Sequence, residues 1–267
     1  MKRSFKEFVQ LFLYSRKMFM QAMIYILLNM FNGKNNKKTR IRNLYIGKTL
    51  SLKLGNENII INGKDFGLAR EIYINRVYFQ LPGFNISQDD IVFDVGANVG
   101  IFTLYAAKFG RHVYSIEVLP DFVEEMRNNL IINGCIEKAT LINALVGHEI
   151  GKFSKRENLV NAAHSALEPE IESINQIISK HKVNKINFMK VDIEGSEFAL
   201  FAKNNNWLSI VDKIAMEVHP EYGNITALGK VLKDNGFHVW YIDERSCKIV
   251  KQLDKLGYIF AKKTIFT

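Results

Sequence analysis

The run Ile91-Val92-Phe93-Asp94-Val95-Gly96-Ala97-Asn98-Val99-Gly100 constrains this chain more than any other segment. Its first five residues, of which only Asp94 is polar, read as a strand buried on both faces, and such strands belong to parallel sheets covered by helices on each side. Gly96, at the strand exit, lets the backbone turn tightly and come close to a ligand because no Cβ stands in the way. A helix is predicted from Gly100 to Phe109, a strand from Val113 to Glu117, and a helix from Pro120 to Asn133 with proline in its first turn. Further strands are predicted at Thr140 to Val146, Ile186 to Asp192, Lys213 to Val218, Phe237 to Ile242 and Tyr258 to Lys262, several of them separated by helical stretches. This alternation predicts an α/β fold built on a doubly wound, mostly parallel sheet.

The chain before residue 90 is of a different kind. Leu44 to Leu54, Ile59 to Ile61 and Glu71 to Leu81 read as short strands around turns at Gly55 and Gly63, so residues 49–89 are expected to form a small β-rich lead-in to a main domain at 90–267. Residues 1–48 are basic, with eleven Lys or Arg against Glu7 alone; the remainder of the chain carries 25 basic and 26 acidic groups. The overall charge of +9 therefore belongs to the N-terminal segment, and a neutral body argues against a nucleic-acid partner. Met18 to Phe31 is apolar nearly all round, but as a helix it would reach only about 21 Å, short of the roughly 30 Å hydrocarbon core. Extending it back to Phe8 would bury Arg16 and Lys17. The preferred reading is an interfacial helix within residues 1–42 whose basic flanks meet anionic headgroups; packing on protein is the competitor. Cys135 and Cys247 lie at no metal-ligand spacing and read as two small buried hydrophobes in a reducing compartment, so a cytoplasmic location is expected, at most peripheral to a membrane.

The loop after the first buried strand is D-x-G-x-x-x-G. A dinucleotide site would need glycine where Asn98 and Ile101 stand, so no pyrophosphate cradle is expected. The motif suits instead a ligand with a methionine-like tail whose amino group meets Asp94. Glu117 ends the second strand 21 residues after Gly96, where an acid accepts both hydroxyls of a ribose. Asn143, in the third strand, offers an amide to an adenine. The competing readings are ordinary capping or surface acids for Asp94 and Glu117, and a structural amide for Asn143.

These residues, together with the block Lys190-Val191-Asp192-Ile193-Glu194-Gly195-Ser196-Glu197, resemble the FkbM-type family of class I methyltransferases over roughly residues 75–262. The resemblance implies a Rossmann-like, seven-stranded sheet with one antiparallel strand, S-adenosylmethionine as methyl donor, and a hydroxyl acceptor, often on a sugar or polyketide. It assigns donor binding to Asp94, Gly96, Gly100 and Glu117, with Asn98 and Asn143 in the same region. The chain departs from the family at Ile174 to Ile177, where an acid is usual.

A neutral hydroxyl is a poor nucleophile, so a general base or a metal would help. Strand periodicity places Lys190, Asp192 and Glu194 on one face and Glu217 with His219 on one face of the next strand. Asp192 or His219 is the first choice of base, supported by Glu217. A divalent metal on Asp192, Glu194 and Glu217 is the less favoured variant. Glu194 and Glu197 have a plain structural reading as acids complementing a helix dipole. The irregular stretch 147–169 is a candidate wall for a small-molecule or glycan acceptor. Two other functions compete: nucleic-acid methylation, and a membrane-associated module that binds donor without catalysis.

Overall fold

The computed structural model describes residues 47–147 and 170–264. The helix expected over Met18 to Phe31 and nearly all of the candidate acceptor wall lie outside these residues. The chain separates into two compact units, one running to Val77 and the other from Tyr78 onward.

In the first unit β1 (Thr49–Leu54) and β2 (Glu57–Asn62) form an antiparallel hairpin. Leu50, Leu52 and Leu54 alternate with exposed residues, which is the two-residue period of a sheet with one buried face. The strand expected over Glu71 to Leu81 is not formed. Asn62 ends the hairpin by accepting the Lys64 backbone N–H at 3.1 Å, which starts a helical turn. The short helix α1 (Phe66–Ala69) follows and runs into one wider turn, Arg70–Ile74, closed by the Asn75 N–H on the Arg70 carbonyl. Ile72, Tyr73 and Ile74 are buried consecutively, a pattern that a strand with one solvent-facing side, such as β1, does not produce.

The second unit is the doubly wound sheet. Its elements are β3 (Ile91–Val95), α2 (Ile101–Phe109), β4 (His112–Glu117), α3 (Pro120–Ile132), β5 (Ala139–Leu145), β6 (Glu170–Ile171), α4 (Ile174–His181), β7 (Phe188–Val191), α5 (Glu197–Ala202), β8 (Lys213–Val218), α6 (Ile225–Asp234), β9 (Phe237–Asp243), β10 (Ile249–Val250) and β11 (Gly257–Lys263). Among the described residues the strand order is β10-β9-β11-β8-β7-β3-β4-β5-β6. The seven expected strands are all present; β11 runs antiparallel to both β8 and β9, and the two-residue strands β6 and β10 extend the edges.

Both faces of the central strands are covered. Phe93 and Val95 point into a cluster with Ile116, Ile142, Met189 and Val191. The opposite face carries aromatic packing, including Phe79 stacked on Phe102 at 5.8 Å and Phe84 edge-on to Phe260 at 4.9 Å. Double burial explains why β3 and β7 read as nearly unbroken apolar runs. Strand order reverses between β3, whose chain continues to β4 and β5, and β7, which leads to β8. In open α/β sheets ligands bind outside the carboxyl ends of strands at such a point. The departure from the family pattern at Ile174 to Ile177 falls on α4, which Ser173 and Gln176 start with a reciprocal capping box. Cys135 is buried as expected, but Cys247 is exposed, because it sits at φ 53° in the turn after β9.

Candidate active site

The loop from Gly96 to Gly100 is folded over the end of β4. The N–H groups of Gly96 and Ala97 both donate to the Ile116 carbonyl, at 2.9 and 3.0 Å. Gly96 adopts φ +81°, and a Cβ built there would lie 1.7 Å from the Asp192 carbonyl oxygen, so the loops after β3 and β7 touch backbone to backbone. Gly100 adopts φ +82° as the residue preceding α2, and a Cβ there would meet Met126. Asn98, at φ 52°, is exposed; its side-chain oxygen accepts the Val99 N–H, while Asn129 braces the loop by donating to the Val99 carbonyl at 2.8 Å.

Glu117, at the end of β4, ties the loop to the strand exit. One carboxylate oxygen accepts the Asn98 N–H at 2.7 Å and the other the Leu119 N–H at 2.9 Å. A carboxylate offers about four acceptor positions, so these bonds leave capacity for a diol. Burial pushes the Glu117 pKa up, against the opposing effect of the two N–H bonds and Lys190. Asn143 sits across from Glu117 on β5 and gives its amide N–H groups to the carbonyls of Glu117 and Val118, at 2.9 and 3.0 Å. It holds the strand exit in place, and what it can offer an adenine is its carbonyl oxygen.

Asp94 lies one layer below the loop, with no exposed surface. Its Oδ2 accepts the Thr103 hydroxyl at 2.7 Å, and its Oδ1 faces Lys190 Nζ at 3.1 Å. Burial favours the neutral amine of Lys190, but Asp94, aided by Asp192 and Glu117, outweighs this and raises its pKa. The same ammonium donates to the Gly96 carbonyl. Asp94 and Lys190 therefore form a buried prop for the glycine loop, so Asp94 is shielded from the ligand ammonium that the sequence pattern assigned to it.

The rim beside this loop gathers the second group of residues. Asp192 follows β7 and accepts the Tyr78 hydroxyl at 3.0 Å. Burial and the charges of Asp192 and Glu217 push the Tyr78 pKa well up, so the phenol keeps its proton. His219 follows β8, with Nδ1 3.0 Å from Glu197 Oε1. Burial alone would lower the His219 pKa; the bond to Glu197 and the charges of Glu197, Asp192 and Glu217 reverse this and push it up to about 9. In this arrangement the ring is an imidazolium at neutral pH and donates rather than accepts, which departs from its reading as a base. Glu217 is half-buried on β8.

β7 ends at Val191, so the alternation expected through Glu194 stops short. Glu194 stands exposed in a left-handed turn at φ 54°. Among the described residues the group able to hold a metal is Asp192, Glu197 and His219, so of the three acids read as possible ligands only Asp192 belongs to it. The partners of three residues in this region were not read from the sequence. Lys190 could have been found as a lone ammonium inside an apolar strand, since a buried charge needs a partner. Glu197 was discounted as a dipole-complementing acid. Nothing in the sequence links Tyr78 to Asp192, 114 residues away.

The chain is similar to several known proteins. The family model described as the methyltransferase FkbM domain matches residues 94–257. The 31-O-demethyl-FK506 methyltransferase FkbM of Streptomyces tacrolimicus is 24% identical over 213 residues, covering 64% of this chain and 81% of that protein. An uncharacterized RNA methyltransferase of Oceanobacillus iheyensis is 31% identical over 99 residues, 37% of this chain, and the chain spans only 21% of that relative's length. RNA methyltransferases thus stand among the relatives, and they do not support the exclusion of nucleic acid drawn from charge. The solved structure of magnesium protoporphyrin IX methyltransferase from Synechocystis PCC 6803 aligns with a TM-score of 0.46 at 13% identity, covering 76% of this chain and 83% of that one.

Proposed function

The chain belongs to the FkbM methyltransferase family and is an S-adenosylmethionine-dependent methyltransferase, and from that premise we propose that its acceptor is a hydroxyl group carried by a sugar, glycan or glycolipid. The donor fits the residues present: the backbone approach at Gly96 that a Cβ would fill, and a buried carboxylate, Glu117, at the exit of β4 with acceptor positions to spare for ribose hydroxyls. Gly96, Asn98, Gly100, Glu117 and Asn143 would hold it, with Asp94 acting from below through Lys190. Bound there, S-adenosylmethionine supplies an already electrophilic methyl group on a sulfonium.

What remains for the chain is to orient an acceptor oxygen and accept its proton. The observation that supports the hydroxyl reading is the rim of Asp192, Glu217 and His219 beside the Gly96 loop, where a carboxylate would take the proton and the imidazolium would orient an oxygen. The O-methylating relative, most of whose length the chain covers, supports it. The balanced charge of residues 49–267, 25 basic against 26 acidic groups, favours a glycan over RNA. Among the described residues no helix is long and apolar enough to cross a membrane. Contact with an anionic surface would fall to residues 1–42, whose deletion should abolish cosedimentation with anionic vesicles and leave donor binding intact.

The test begins with calorimetric titration of the chain with S-adenosylmethionine and S-adenosylhomocysteine beside Glu117→Ala. Saturable binding of both, lost in the variant, is expected. Incubation with methyl-labelled donor and either glycan or RNA pools then decides the acceptor. Label entering RNA alone would overturn the hydroxyl-on-glycan reading.

A further inference from the structure

Asp192, Glu197 and His219 come from three separate elements, after β7, at the start of α5 and after β8, yet one ligand atom of each lies within 4.8 Å of the others. Glu197 is wholly buried. Its Oε1 accepts the Ile193 N–H at 3.2 Å and faces His219 Nδ1 at 3.0 Å. Its Oε2 is buried without a hydrogen-bond partner among the described residues. A carboxylate oxygen out of reach of water and without a donor is unfavourable, and native structures supply such atoms with a partner. The buried ammonium of Lys190 on β7 is held by Asp94 and the Gly96 carbonyl.

We infer that Asp192, Glu197 and His219 bind one divalent metal ion of the manganese or magnesium kind at the rim beside the donor loop. Two carboxylates and one imidazole form a mixed oxygen and nitrogen donor set suited to such an ion. The ligand set differs from the one suggested by strand alternation, because the turn at Glu194 carries that side chain out to solvent while the first turn of α5 brings Glu197 inward. The proton now shared by His219 and Glu197 would be released as the ion enters. An ion there would lower the pKa of a coordinated hydroxyl. Its catalytic meaning rests on the hydroxyl reading above; its binding does not.

The experiment is a Mn2+ titration of the full chain, followed by the electron paramagnetic resonance signal of free Mn2+, for the wild type, Glu197→Gln and Asp192→Asn. Thermal melts confirm that each protein is folded. The expected result is one Mn2+ per chain, with affinity at least about tenfold weaker in both variants. Should Glu197→Gln fail to fold, Asp192→Asn carries the comparison, since Asp192 is only half-buried. No saturable uptake by the folded wild type, or equal uptake by wild type and variants, overturns the site. Calorimetry with S-adenosylhomocysteine on the same protein separates the readings: donor binding without Mn2+ uptake overturns the metal site alone.

Discussion

Replacing Lys190 with methionine removes the charge that holds the Gly96 loop while keeping most of the side-chain volume. The ammonium is 3.1 Å from Asp94 Oδ1, and the two side chains are 5% and 0% exposed. Opposite unit charges at that separation attract by roughly 5 kcal/mol at an effective dielectric constant of about 20. Breaking a buried pair by removing one partner is likewise worth about 3–5 kcal/mol, because the remaining charge is uncompensated. Lys190→Met should therefore cost about 3–5 kcal/mol, a third or more of the stability of a typical domain. Asp94→Asn in the same chain removes the stranded charge and still leaves an oxygen for the Thr103 hydroxyl. Urea denaturation of the two single variants and the double variant should show the double losing about 2 kcal/mol less than the sum of the singles. Calorimetry should show S-adenosylhomocysteine binding weakened in the double variant even where folding recovers, since the Gly96 carbonyl has lost its donor. A loss below about 1 kcal/mol in Lys190→Met, or strict additivity in the double variant, would refute the claim that this pair supports the loop.

Two further outcomes can be checked directly. Gly96→Ala forces a left-handed residue to carry a Cβ, at about 1–2 kcal/mol, and sets that Cβ 1.7 Å from the Asp192 carbonyl oxygen; donor binding should fall at least about tenfold in a chain that still folds, and unchanged calorimetric affinity would contradict the backbone contact. The His112 pKa is lowered, first by burial and then by the charge of His181. The unfolded chain thus binds more protons, and stability should fall as pH drops below about 6.5, levelling off beneath the folded-state value. An NMR titration midpoint for His112 at or above about 6.5 would reverse that sign.

The sheet was readable because its strands are buried on two faces and its turns are marked by glycine at positive φ. Ile91 to Val95 announces burial in its composition, and Lys213 to Val218 matches its strand residue for residue. The segment 71–81 misled because Ile, Tyr and Val favour strands locally, whereas Glu71 to Ile74 continue the helical turns that begin at Gly63 and the rest of the segment pairs with no strand among the described residues. In the candidate site, the spacing of Gly96 and Glu117 anticipated that the two would meet at the strand exits, where the Gly96 N–H bonds to the end of β4 and Glu117 accepts the Asn98 N–H. The partners of Asp94 were not legible, since the direction in which a strand residue points depends on α2 and β7, which bring Thr103 and Lys190. Glu197 was obscured for the same reason: an acid at a helix start has a local explanation, and only its distance to His219, 22 residues on, gives it another.

The pairing of β3 has a consequence for how the protein is made. Val92 pairs with Val113 on one side and with Phe188 on the other. The first neighbour is synthesised soon after β3, so β3, β4 and β5 can assemble from nearby segments while the ribosome is still translating. The second arrives only after α4, and non-local pairings of this kind form late. A nascent chain ending before β7 would carry Gly96, Glu117 and Asn143 but lack the Lys190 ammonium beneath the loop and the Asp192 carbonyl against it. The half-sheet that forms first thus holds the residues proposed to contact the donor, and the one that docks last brings Lys190 and the Asp192 carbonyl against them, which leaves an emerging chain with an unsupported loop until synthesis has passed β7.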